Sequence, residues 1–176
     1  MGTYAGDVQT LSLGLLVARV IIGFLMAAHG TQKLVKWFGG HGLSGTGQFF
    51  EQMGFRPGPA FAAAASISEI ASGLLVAFGF LGPVGPALMI SVMLVATITV
   101  HWGNGLFATK GIELPLLYMA AAFAFALTGF GQYSLDNVFG IAGHLTITDT
   151  WIALLVGVIG GFANVALRRP PAVAQA

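Results

Sequence analysis

The chain has 176 residues, of which 56% are hydrophobic and only 7% charged, and it contains no cysteine. Its mean hydropathy of +0.87 places it in the membrane class, because so apolar a surface would not stay dissolved in water. Seven Lys and Arg against six Asp and Glu leave a net charge of +1, too little to argue for a nucleic acid partner, and the lack of Cys excludes disulfides, thiol chemistry and cysteine-held metals.

Met1 to Thr10 carries Asp7 and no Lys or Arg, so it lacks the basic region of a secretory signal and the apolar run after it is expected to be retained. That run, Leu11 to about Val35, is interrupted by Arg19, His29 and Lys33. Some twenty of its residues, at ~1.5 Å each, are enough to cross a hydrocarbon layer of about 30 Å. The stretch from Gly39 to Pro59 is polar and Gly-rich. Within it, Thr46 to Met53 with Gly54 as a stop predicts a two-turn helix, interfacial or re-entrant, whose Phe49, Phe50 and Met53 face the membrane.

A second apolar segment runs from Phe61 to about Gly82 with Glu69 as its one ionisable residue. The Gly82-Pro83-Val84-Gly85-Pro86 turn then reverses the chain into a third, ending at His101 and Trp102. The fourth starts near Glu113 and Pro115 and stops at Gly131. A polar connection from Asp136 to Thr148 leads to Asp149, read as the cap of a last segment, Trp151 to Leu167, which at 17 residues is near the lower limit for spanning.

The fold expected is therefore an all-α, polytopic transmembrane bundle of four or five spanning helices, five preferred, in one domain over residues 1–176. Charge placement favours five. With the N-terminus outside, Lys33, Lys36, Arg56, Lys110, Arg168 and Arg169 all fall on the cytoplasmic side, with the C-terminus, and no Lys or Arg falls in an outward connection.

Ionisable groups inside apolar segments mark function by default, because stranding them in lipid is costly. Arg19 and Glu69 each stand alone in mid-segment, and their coupling across the first two helices is expected; a structural ion pair or a pair of independent polar anchors is the plainer alternative. Ala65, Glu69, Gly73 and Ala77 share an i, i+4 face on which another helix can approach closely, and Gly157 and Gly161 form a similar face on the last segment. His29, with Gln32, Lys33 and Lys36, and His101, with Thr97 one turn before it, approach the same end of the bundle. A neutral imidazole donates one hydrogen bond and accepts another, which suits a quinone carbonyl or its proton; boundary solvation and helix-to-helix bonding are the plainer roles. His29, His101 and Glu69 are thus the candidate catalytic residues. No short His or Glu-His spacing predicts a metal site, which leaves only a haem on two distant histidines, and no nucleotide-binding motif occurs.

The ordered set Leu16–Gly23, His29-Gly30-Thr31-Gln32-Lys33, Gly45-Thr46 before Phe49-Phe50 and Met53-Gly54-Phe55, Glu69–Gly73, His101–Phe107, Gly111–Pro115 and Gly129–Asp136 resembles the DoxX family over residues 11–138. The resemblance implies a small bacterial or archaeal cell-membrane protein, commonly of four spanning helices, so residues 151–167 would be an additional one. Some members resemble the membrane subunit of a thiosulfate:quinone oxidoreductase, and others accompany oxidative-stress or thiol-redox complexes. It also implies Arg19, His29, Lys33, Glu69, His101, Asn104 and Glu113 as the family-pattern polar positions. Of these, Arg19, His29, Lys33, His101, Asn104 and Glu113 are the candidate cofactor-binding residues. The expected function is a membrane subunit or accessory of a redox system with a quinone or other lipophilic ligand. Membrane lipids, redox-protein subunits or further copies of the chain are the expected partners. An assembly factor or small-solute transporter is the alternative.

Overall fold

Glycine and proline cut the apolar sequence into helices, and the structure, a computed structural model describing residues 8–169, has no strand among those residues. Helix α1 spans Val8–Val35, α2 Gly42–Gln52, α3 Gly58–Phe78, α4 Val84–Ala96, α5 Glu113–Thr128, α6 Leu135–Val138 and α7 Ile147–Ala166. A π-helical turn at Thr97–His101 and a 3-10 turn at Trp102–Asn104 prolong α4. Among the described residues four helices are long and apolar enough to cross a membrane: α1, α3, α4 with its extension, and α7, whereas α5, at 16 residues, is shorter. The chain is a multi-pass membrane protein. Asp7 and the segment before it lie outside the described residues.

Two element boundaries differ from expectation. The last helix has 20 residues because Thr146, and not Asp149, is its N-cap. Asp149 sits at N3, and the two side chains satisfy each other's backbone N–H groups in a capping box, which starts the helix a turn earlier. The amphipathic helix α2 begins at Gly42, not Thr46, and its Met53 end is buried where the sequence suggested membrane exposure; only Phe49 of the three apolar residues is exposed. Helix α2 packs against α3 and α1.

Helices α1, α3, α4 and α5 surround the core, and α7 lies against α4 and α5. Met26, Val76, Met89, Met93, Phe125 and Leu154 fill the interior. Between α1 and α3 the backbones nearly touch. A Cβ on Gly23 would lie 2.5 Å from the Gly73 carbonyl oxygen and 2.6 Å from the Ala77 nitrogen, and one on Gly30 would lie 2.5 Å from the Ser66 oxygen. In lipid the helices gain little from excluding apolar surface, so close backbone packing of this kind supplies much of their attraction. Gly157 and Gly161 of α7 meet Ala87, Ser91 and Leu94 of α4 in the same way.

At the end where α3 turns into α4, polar groups tie the loop after α5 to the bundle. The Asp136 carboxylate accepts from the Leu81 and Gly82 N–H groups at 2.8 and 2.7 Å, and its own N–H donates to the Gly79 carbonyl at 2.9 Å. Arg19 belongs to this end. It is 1% exposed and donates to the carbonyls of Ala77 and Tyr133. Its expected coupling to Glu69 is not formed, and among the described residues the two share no bonding partner. The reason is register: α1 and α3 run antiparallel, and the seam that sets Gly23 against Gly73 and Ala77 and Gly30 against Ser66 and Ile70 puts Arg19 level with the C-terminal end of α3 and Glu69 near Gly30, in the last third of α1.

Candidate functional site

At the other end, α1 finishes, α2 folds back, α3 begins, and the extended α4 gives way to α5. A cavity of about 840 Å³ opens among these elements, within the roughly 300–1,000 Å³ usual for small-molecule sites. Phe49, Phe50, Phe55, Phe61, Val92 and Leu114 give it an apolar lining. The ionisable residues on its wall are His29, Lys33, His41, Glu69, His101 and Lys110, joined by the hydroxyl-bearing Tyr118.

Lys33, in the last turn of α1, forms an ion pair with Oε1 of Glu69. The Glu69 side chain is 2% exposed and that of Lys33 29%, so the carboxylate is dry while the ammonium reaches toward water. Glu69 Oε2 is buried and has no hydrogen-bond partner among the described residues. The close seam at Gly30 and Ser66 brings α1 near enough to α3 for this pair to close.

His29 lies one turn before Lys33 and meets the Tyr118 ring edge-on, centroids 6.2 Å apart. Tyr118 is only 6% exposed although it lines the cavity. His101 ends the π-helical turn, a local widening of the helix that recurs at functional positions. Its Nδ1 is 2.8 Å from the Lys110 carbonyl oxygen. A carbonyl can only accept, so Nδ1 carries the proton, and in the neutral ring Nε2 is an acceptor.

His29, Lys33, Glu69 and His101 therefore meet at one cavity, whereas Arg19, Asn104 and Glu113 do not line it. Asn104 donates to the Val100 and Lys110 carbonyls at 3.2 and 3.0 Å, and Glu113 accepts from the Phe107 N–H. These two close the loop between α4 and α5, and through Lys110 Asn104 supports the carbonyl that orients His101. Tyr118 was not singled out from the sequence; a phenol in mid-helix, away from the headgroup belts where Tyr is usual, is the signal that marks it. The Lys33–Glu69 pair also escaped the sequence, because Lys33 reads as a boundary cation.

The apolar chamber, its buried carboxylate–ammonium pair and the two histidines can hold a small, partly polar ring and exchange hydrogen bonds or a proton with it. Comparison with known proteins found no match among curated proteins and none among solved structures. A family model, DoxX, matches residues 14–102, just over half of the chain. That span holds most of α1 and all of α2, α3 and α4 with the π-helical turn, and hence His29, Lys33, Glu69 and His101 of the cavity. The chain that builds this site belongs to the DoxX family.

Proposed function

We propose that this protein is a membrane subunit or accessory of a redox system and that its cavity takes the ring of a quinone or a similar lipophilic molecule. The observation that carries the reading is the convergence of His29, Lys33, Glu69, His101 and Tyr118 on one chamber of the bundle that also has a large apolar wall. A quinone needs both properties: a few polar groups for its oxygens and apolar walls for its ring and tail. Histidine and tyrosine are suited to the ring oxygens, since each can donate or accept. Lys33 favours any negative charge that develops there.

A quinone supplies the electron chemistry when bound; the residues of this chain bind, orient and hold protons. Without a cysteine, the chain has no thiol to pass electrons on, so a redox-protein partner is part of the proposal. The cavity end also carries Lys33, Lys36, Arg56 and Lys110, and Arg168 reaches back to the Met53 carbonyl beside them. By the positive-inside rule this end, and the C-terminus with it, faces the cytoplasm. Extraction in mild detergent followed by lipid analysis tests the reading. A quinone bound near one per chain supports it; a stable protein partner with no quinone supports an assembly factor instead.

A further inference from the structure

We infer that the cavity selects the reduced, hydroquinone form of its ligand, with Glu69 Oε2 accepting a phenolic O–H; this rests on the quinone reading above. Glu69 is 1% exposed, and Lys33 occupies only one of its two oxygens. The other, Oε2, is buried without a partner among the described residues and belongs to a residue on the cavity wall. An ionised carboxylate accepts hydrogen bonds and cannot donate them. Whatever satisfies Oε2 must therefore bring an O–H or N–H.

The two redox forms of a quinone differ in this respect. A quinone presents carbonyl oxygens, which only accept. Set against Glu69, such an oxygen leaves Oε2 unpaired and places lone pairs against a carboxylate. A hydroquinone presents O–H groups, and one of them pairs Oε2. His101 points the same way: its Nδ1 is committed to the Lys110 carbonyl, so the neutral ring has an acceptor left at Nε2. The remaining polar groups do not discriminate. Tyr118, His29, His41 and the hydroxyl and amide side chains of the wall can donate or accept, and the N–H groups of Lys33 and Lys110 serve a phenolic oxygen as well as a carbonyl. The acceptor-only atoms thus decide the preference, and relieving one unpaired buried acceptor corresponds to about tenfold or more in affinity.

The test is equilibrium binding to the intact protein in detergent of a decyl-substituted benzoquinone, its hydroquinone under anaerobic reduction, and the hydroquinone dimethyl ether, each corrected for partition into micelles. The hydroquinone is expected to bind at least about tenfold more tightly than the other two. In the Glu69→Gln variant, whose amide can donate, the ratio of hydroquinone to quinone affinity should fall toward one. Equal or tighter binding of the quinone by wild type, or a dimethyl ether as tight as the hydroquinone, overturns the inference while leaving the quinone site in place. If none of the three binds, the quinone reading itself fails and the preference falls with it. The ether comparison uses wild-type protein, so the result does not depend on the variant folding.

Discussion

Lys33 in the last turn of α1 closes on Glu69 of α3, a residue of the cavity wall, and the other oxygen of that carboxylate is buried without a partner among the described residues. The pair fastens two helices and polarises the site at once. Lys33→Met should destabilise the protein by roughly 1–3 kcal/mol, because the carboxylate is left buried without its cation. The partly exposed ammonium keeps the loss below the ~3–5 kcal/mol of a fully dry pair. Combining Lys33→Met with Glu69→Gln should cost less than the two single losses added, with a coupling above about 0.5 kcal/mol. Unfolding of the four proteins in detergent measures it, and additivity would show that the pair is not energetically joined.

Arg19 is expected to behave differently. It bridges the Ala77 and Tyr133 carbonyls at the far end of the bundle. Arg19→Met should therefore cost about 2–4 kcal/mol in stability, from two charge-assisted hydrogen bonds lost in a buried setting. Ligand affinity of the protein that folds should stay within about twofold of wild type, since less than ~0.5 kcal/mol reaches the cavity from so distant a site. A thermal unfolding curve beside a binding isotherm separates the two effects, and a large affinity loss would return Arg19 to the site.

The glycine seam gives a prediction in which two effects oppose. Gly23→Ala gains about 1 kcal/mol of helix propensity. Yet its methyl would sit 2.5–2.7 Å from Gly73 and Ala77 atoms, and overpacking against backbone costs about 1–3 kcal/mol. The clash should win, giving a net loss of about 1 kcal/mol and a lower melting temperature. At Gly14, where nothing lies within 4 Å, the same substitution should be stabilising.

Orientation can be read with single cysteines, because the chain has none of its own. Ser44→Cys lies on exposed α2 at the cavity end, and Ala142→Cys lies in the exposed connection before α7. In intact cells a membrane-impermeant maleimide should label the second and reach the first only after permeabilisation. The reverse pattern would turn the bundle over and place the cavity at the outer face.

Much of the bundle was legible because hydropathy and Gly-Pro turns act locally. The starts of α4 and α5 follow from Pro83 and Glu113, and the small-residue faces at Gly73 and Gly157 are used as their spacing suggested. Residue contacts between helices were less legible, since they depend on register. Arg19 and Glu69 look equivalent as lone mid-segment charges, but antiparallel packing separates them and gives Glu69 to Lys33. The length of α7 depends on which of Thr146 and Asp149 caps it, and only the reciprocal bonds of the capping box decide that. His29 and His101 were placed at the same end from topology and do line one cavity, while Tyr118 joins them through the packing of α5.

The central claim, that the cavity at the basic end of the bundle is a quinone site, is tested most directly by the quinone content of protein purified in mild detergent, compared with an Ala65→Trp variant. Ala65 is on the cavity wall, one turn before Glu69, and an indole there intrudes into the part of the chamber beside that carboxylate while leaving Glu69, Lys33 and both histidines in the sequence. The account predicts close to one quinone per wild-type chain and a loss of at least about tenfold in the variant with its fold intact, the minimum expected from displacing a ring worth ~1.4 kcal/mol or more. Wild-type protein without quinone, or equal quinone in a folded variant, would contradict it.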